Sequence, residues 1–149
     1  MKILKIPKFG KELQQLSYRK EGKNIYVNFF EEGVQAGFPS PAEDFREQNL
    51  SLDEKYFTNP DATFLVKVVG DSMYPTLQVN DILIVKSDIE FNNDKIGIIS
   101  VNNTEFTVKR YHKKKQELVA DNPDFKNIKI AEDDVLLCLG VVQHLIRDL

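Results

Sequence analysis

Ser72 and Lys109 are the two side chains whose types and settings suggest covalent chemistry. Ser72 lies in Gly70-Asp71-Ser72-Met73-Tyr74-Pro75-Thr76, directly after the apolar run Thr63-Phe64-Leu65-Val66-Lys67-Val68-Val69, which reads as a strand. A glycine lets the backbone turn sharply at the strand end, and Pro75 fixes φ just beyond it. That places Ser72 at a rigid strand end with its hydroxyl pointing into open space, the geometry of a nucleophile. A hydroxyl is a weak nucleophile until a base takes its proton.

Two kinds of base are available, histidine and lysine. His112 lies beside a basic turn and His144 near the end of the last apolar run. Neither has an acidic residue set to orient it, and both read as surface or edge histidines. A lysine acts as a base only when it is neutral near pH 7, which requires burial. Lys109 ends Glu105-Phe106-Thr107-Val108-Lys109, where Phe106 and Val108 are expected to supply apolar cover. Lys67 precedes Ser72 on the same strand and does not face the hydroxyl easily. On residue chemistry alone, Lys109 is open to two readings, a general base or a charged lysine at a strand edge.

Other chemistries find less support. Glu132, Asp133 and Asp134 cluster without His or Cys at ligand spacing, so no metal site is expected and the group reads as an acidic turn. There is no Gly-rich phosphate loop, and no cofactor is expected. Lys109-Arg110-Tyr111-His112-Lys113-Lys114-Lys115 could contact phosphates. With a net charge of −3 and no recognition helix, it reads better as a solvated hairpin tip.

The 149 residues are 42% hydrophobic, enough for one globular body with a core and an appended arm. Residues 1–36 carry seven Lys/Arg and four Glu, a net +3, which leaves −6 on the rest. Within this arm only Ile25-Tyr26-Val27-Asn28-Phe29-Phe30 looks like a strand. It is followed by Val34-Gln35-Ala36-Gly37-Phe38-Pro39-Ser40-Pro41, where small residues and prolines read locally as a hinge. Ser40-Pro41-Ala42-Glu43 opens a helix expected to reach about Asn49, and Ser51-Leu52-Asp53-Glu54 opens a second towards Phe57.

From Ala62 onward the pattern is β: Thr63–Val69, Asp81–Lys86, Lys95–Val101, Glu105–His112, Gln116–Ala120 and Val135–Ile146, with tight turns at Asn102-Asn103 and Lys113–Lys115. The expected fold class is mostly β, a compact and strongly bent antiparallel fold with a few short helices and an N-terminal arm. The single cysteine, Cys138, lies in an apolar run and is expected to be a small buried hydrophobe. One cysteine allows no internal disulfide, no apolar run reaches the ~18 residues of a membrane span, and Met1–Lys8 lacks the h-region of a signal peptide. The expected compartment is the cytoplasm.

Three co-ordered motifs carry a resemblance. Val34–Pro39, Gly70-Asp71-Ser72-Met73 and Glu105–Lys109, with Gly140-Val141-Val142 near the end, resemble the UmuD branch of the LexA-like self-cleaving Ser-Lys peptidases over residues 34 to 146. The resemblance implies the LexA/signal-peptidase type of β fold, with Ser72 as nucleophile and Lys109 as general base. It implies an oxyanion hole from the backbone N–H groups of Asp71 and Ser72, and a scissile bond between Ala36 and Gly37, so that residues 1–36 are the removed arm and 37–149 the peptidase-like domain. It further implies a homodimer, triggering by a RecA filament on single-stranded DNA, and a role as accessory subunit of a UmuC-like Y-family polymerase in SOS mutagenesis and translesion synthesis. Direct sequence-specific DNA binding is not expected.

Two departures stand out. Residues 1–33 match little of the family pattern and exceed the usual UmuD arm in length, and Ala-Gly at the scissile bond resembles the repressors more than the Cys-Gly of the best-known UmuD. The alternatives are a non-catalytic dimerisation or binding module, such as a truncated LexA-like repressor domain, and a signal peptidase, whose Ser-x-Met-x-Pro box Ser72–Pro75 does not match in spacing.

Overall fold

Short apolar runs separated by turn residues become strands of one antiparallel sheet. The computed structural model describes residues 8–16, 22–24, 27–29 and 48–149. In chain order the strands are β1 (Leu13–Leu16), β2 (Val27–Phe29), β3 (Gln48–Leu50), β4 (Thr63–Val68), β5 (Ile82–Lys86), β6 (Ile96–Val101), β7 (Thr107–His112), β8 (Glu117–Val119), β9 (Ile128–Lys129) and β10 (Leu136–Ile146); helix α1 is Leu52–Tyr56. Two units are distinguished, Met1–Tyr18 with Asp61–Leu149, and Arg19–Pro60.

The first unit is an eight-stranded sheet in the order β1-β4-β5-β10-β6-β7-β8-β9. Every neighbouring pair is antiparallel. β10 is the strand on which the sheet bends. Its first half pairs with β6 and its second half with β5, and the register shifts between Cys138 and Gly140 and again between Val142 and His144. Such bulges bend a strand and increase its twist. In a flat sheet β4 and β7, four places apart, would stand about 19 Å apart. Here side chains from these two regions touch, as described below, so the sheet curls until its faces enclose a core.

That core holds Leu13, Val66, Val68, Met73, Leu77, Leu83, Val85, Ile98 and Val108. It draws on the inward positions of β4, β5, β6 and β7, with Met73 and Leu77 contributed by the loop after β4. Gly140 permits the bend: a Cβ there would lie 2.8 Å from both the Lys86 carbonyl oxygen and Val85 Cγ1. Backbone cannot yield as a flexible side chain can, so Gly140→Ala should cost about 2 kcal/mol of stability, within the range for overpacking. A denaturant-unfolding midpoint unchanged by Gly140→Ala would show that β10 is not packed in this way.

The second unit pairs β2 with β3. The Ser51 side chain accepts from the Glu54 N–H and caps α1. Expected and observed strands agree closely from Thr63 onward. The Asn102-Asn103 turn forms with both residues at positive φ, 53° and 60°. The helix expected from Ser40 does not extend to Asn49, because Gln48 and Asn49 lie in β3, paired with Phe29 and Asn28; the rest of that segment lies outside the described residues. Strands β1, β3 and β9, of four, three and two residues, were not expected. Their sequences have no apolar alternation long enough to register, and pairing partners define them. Cys138 is exposed rather than buried. The register shift beside it leaves both Leu137 and Cys138 on the outside of β10.

Candidate active site

The loop after β4 carries Ser72, and β7 carries Lys109. Side chains alternate along a strand, so Thr107 and Lys109 share one face of β7 while Val108 points the other way into the core, 1% exposed. The expected apolar cover of Lys109 by Phe106 and Val108 is therefore corrected, because those residues sit on the opposite face. What surrounds Lys109 Nζ is polar. It lies 3.1 Å from Ser72 Oγ, 3.1 Å from Thr107 Oγ1 and 3.0 Å from the Val108 carbonyl oxygen. It also lies 3.1 and 3.3 Å from the two carboxylate oxygens of Glu12.

Glu12 precedes β1. Its carboxylate accepts from the Thr107 hydroxyl at 2.5 Å and pairs with Lys109. Burial alone would raise its carboxyl, but hydrogen bonds from Ser72 and Thr107 and the Lys109 charge outweigh that and hold it below the usual carboxylate range. Ser72 is accordingly buried, 1% exposed, and does not point into open space as expected. The N-terminal segment lies where the opening would be. Gly70 serves this approach rather than a left-handed turn: a Cβ on it would lie 3.0 Å from Glu12 Cγ and 3.2 Å from Glu12 Cα.

The loop that carries Ser72 is held from several sides. Asn122 donates from its side chain to the Asp71 carbonyl (2.9 Å) and from its backbone N–H to the Ser72 carbonyl (3.0 Å). Asp121 accepts from Thr76 Oγ1 (2.6 Å) and takes a two-pronged contact from Arg110. The Tyr74–Pro75 peptide bond is cis. Met73 and Leu77 anchor the loop in the core.

Of the residues singled out in the sequence, Ser72 and Lys109 come together, and Asp71 adjoins Ser72. Ala36 and Gly37 lie outside the described residues. Lys113–Gln116 forms an exposed turn between β7 and β8. Sequence reasoning missed Glu12, Thr107 and Asn122 as neighbours of Ser72 and Lys109. Glu12 sits in a stretch without periodicity and gives no signal. Asn122-Pro123-Asp124 reads as local turn chemistry, and the Asn122 side chain does accept from the Asp124 N–H (3.0 Å), yet it also spans to the Ser72 loop. Among the described residues, no group of three or more His, Cys, Asp or Glu could hold a metal ion, and no helix is long and apolar enough to cross a membrane.

Comparison with known proteins places the chain in a family. The peptidase S24-like family matches residues 28–143. The chain belongs to that family. It is 35% identical over 131 residues to protein ImpA of Salmonella typhimurium, covering 85% of this chain and 88% of that one. It is 33% identical over 121 residues to protein MucA of Escherichia coli, covering 79% and 82%. It is 39% identical over 119 residues to a LexA repressor of Acidithiobacillus ferrooxidans, covering 76% of this chain and 58% of the repressor. These relatives bear out the UmuD-like resemblance drawn from the motifs, and the curled, mostly β sheet is consistent with the family's fold. Residues 8–16, with Glu12, precede the stretch that the family matches.

Proposed function

We infer that this chain is a self-cleaving Ser-Lys peptidase of the SOS response that cuts its own Ala36–Gly37 bond. The observation that carries the reading is the 3.1 Å approach of Lys109 Nζ to Ser72 Oγ across a sheet that must curl to allow it. In the proposed reaction a neutral Lys109 amine takes the Ser72 proton as Oγ attacks the Ala36 carbonyl. The backbone N–H groups of Asp71 and Ser72 receive the oxyanion, a contribution of several kcal/mol. Lys109 then returns the proton to the departing Gly37 amine, and water hydrolyses the Ala36 ester.

The arm 1–36 is the part removed, and 37–149 is the peptidase-like domain that remains. Removal of the +3 arm leaves a body of −6, a change of surface suited to a change of partner. The processed form is read as a cytoplasmic homodimer serving a UmuC-like Y-family polymerase in translesion synthesis, with a RecA filament on single-stranded DNA as trigger. No membrane or cofactor takes part.

Intact mass spectrometry tests the reading directly. Incubation at alkaline pH, or with an activated RecA filament, should convert the full chain into two pieces divided after Ala36. A chain that stays whole under both conditions overturns the peptidase reading and favours a binding module. A cut at another bond removes Ala36–Gly37 as the site.

A further inference from the structure

The N-terminal segment is seated as if it were a ligand of the site it precedes. Glu12 O accepts from the N–H groups of Val69 (2.6 Å) and Gly70 (3.2 Å), immediately before Ser72. From there β1 continues along the edge of β4, with Leu13 opposite Val68 and Leu16 opposite Leu65. Leu13 is buried in the core at 5% exposure. On the other side, Gly10 N–H donates to the Phe106 carbonyl (3.0 Å) and Phe106 N–H to the Lys8 carbonyl (2.9 Å), with the Phe9 and Phe106 rings 6.4 Å apart. The segment thus bridges β4 and Phe106, the residue before β7, beside Ser72 and Lys109.

We propose that residues 8–16 form a built-in pseudosubstrate, an extended strand on the β4 edge whose Glu12 carboxylate occupies the dyad and keeps it inactive until the strand is displaced. The proposal rests on the peptidase reading of Ser72 and Lys109. Two physical arguments support it. The Glu12 carboxylate engages Lys109 Nζ through both oxygens, at 3.1 and 3.3 Å, and competes there with the Ser72 hydroxyl. The carboxylate also accepts a hydrogen bond from Ser72, whose hydroxyl would have to be free to attack a scissile carbonyl. The groups that face Lys109 Nζ from the surrounding elements are Glu12 before β1, Ser72 after β4, and the Thr107 hydroxyl and Val108 carbonyl on β7. Glu12 is the charged member of that set. The site therefore takes an extended peptide in antiparallel register with β4, and the stretch around Ala36–Gly37 competes with residues 8–16 for it.

The test uses the full chain in three forms: wild type, Glu12→Gln and Leu13→Asp. Gln keeps the side-chain length and removes the charge, whereas Asp at position 13 unseats β1 by its buried anchor. Self-cleavage at neutral pH should rise about tenfold in both variants, the factor for a competent state held near 10% population. A Glu12→Gln rate equal to or below wild type overturns the proposal, and a lower rate would make Glu12 a positioning residue instead.

A second readout does not depend on cleavage. Brief acetylation with acetic anhydride, followed by peptide mass analysis, should label Lys109 several-fold more in both variants. If no form cuts itself but labelling rises, the occluding strand stands and the peptidase reading falls. If neither changes, the occluding strand falls too.

Discussion

Ser72→Ala is expected to abolish the 36-residue fragment, with a fall in self-cleavage rate of at least about 10³-fold, as when the nucleophile of a serine peptidase is removed. Serine is the cleaner of the two residues to change. Its loss strands no charge, because Lys109 keeps Glu12, Thr107 and the Val108 carbonyl as partners. Lys109→Ala should be as inactive but less stable, since it leaves the Glu12 carboxylate, 20% exposed, without its cation. The double variant should be no slower than either single one, because two residues that act as a unit do not add. Rates followed by intact mass, with melting curves for each variant, check all three statements. Cleavage that persists in Ser72→Ala removes Ser72 from the chemistry.

Arg147→Met is expected to lower the melting temperature, the largest loss foreseen for a residue outside the core. Asp81 is 1% exposed and accepts from Arg147 Nε and Nη2, both at 2.7 Å, and from the Gln78 N–H at 2.8 Å. Removing the arginine leaves that carboxylate buried with the backbone N–H alone. Asp81→Asn should cost less, because Arg147 is about one-third exposed and can turn to water. The pair joins the chain end to the loop that runs on from Ser72, and Arg147 Nη2 also reaches the Thr76 carbonyl at 3.4 Å.

Acid should loosen the same loop. Hydrogen bonds from Arg147 hold Asp81 below the usual carboxylate range, and those from Arg110 and Thr76 do so for Asp121, against the opposing effect of burial in each case. A carboxyl lowered on folding stabilises fully above its unfolded value, near 4, and loses that contribution as pH falls through the folded one. Hydrogen exchange at Gln78 N–H should therefore quicken below about pH 4, and Arg147→Met should shift the onset upward. Exchange that is flat through this range would show that Asp81 does not anchor the loop.

Much of the sheet was legible because its strands carry their own pattern. Leu83, Val85, Ile98 and Val108 recur in β-rich runs bounded by turn residues, and Asn102-Asn103 takes the positive φ values that a tight hairpin demands. The strands that escaped notice do so for the opposite reason. Leu13-Gln14-Gln15-Leu16 has no alternation, and it becomes a strand because β4 offers an open edge. That Ser72 and Lys109 would meet was legible only through co-ordered motifs. Residue chemistry proposed Lys109 for an apolar cover that the pleat of β7 does not provide, since Thr107 and not Val108 shares its face. Glu12 left no trace, because its partners lie 60 and 97 positions onward, at Ser72 and Lys109, and only the curl of the sheet brings them together.

The edge position of β1 has a consequence for timing. β1 lies on the N-terminal side of Ala36–Gly37, yet it is built into the sheet of the body. In the proposed reaction the cut removes a covalent tether but none of the backbone pairs between Leu13–Leu16 and Leu65–Val68. Before the cut, pairing of the strand with β4 is intramolecular and does not depend on protein concentration. Afterwards it is a separate peptide, and its occupancy follows the protein concentration. Dilution, rather than bond breaking, then decides when the edge of β4 becomes free for another strand.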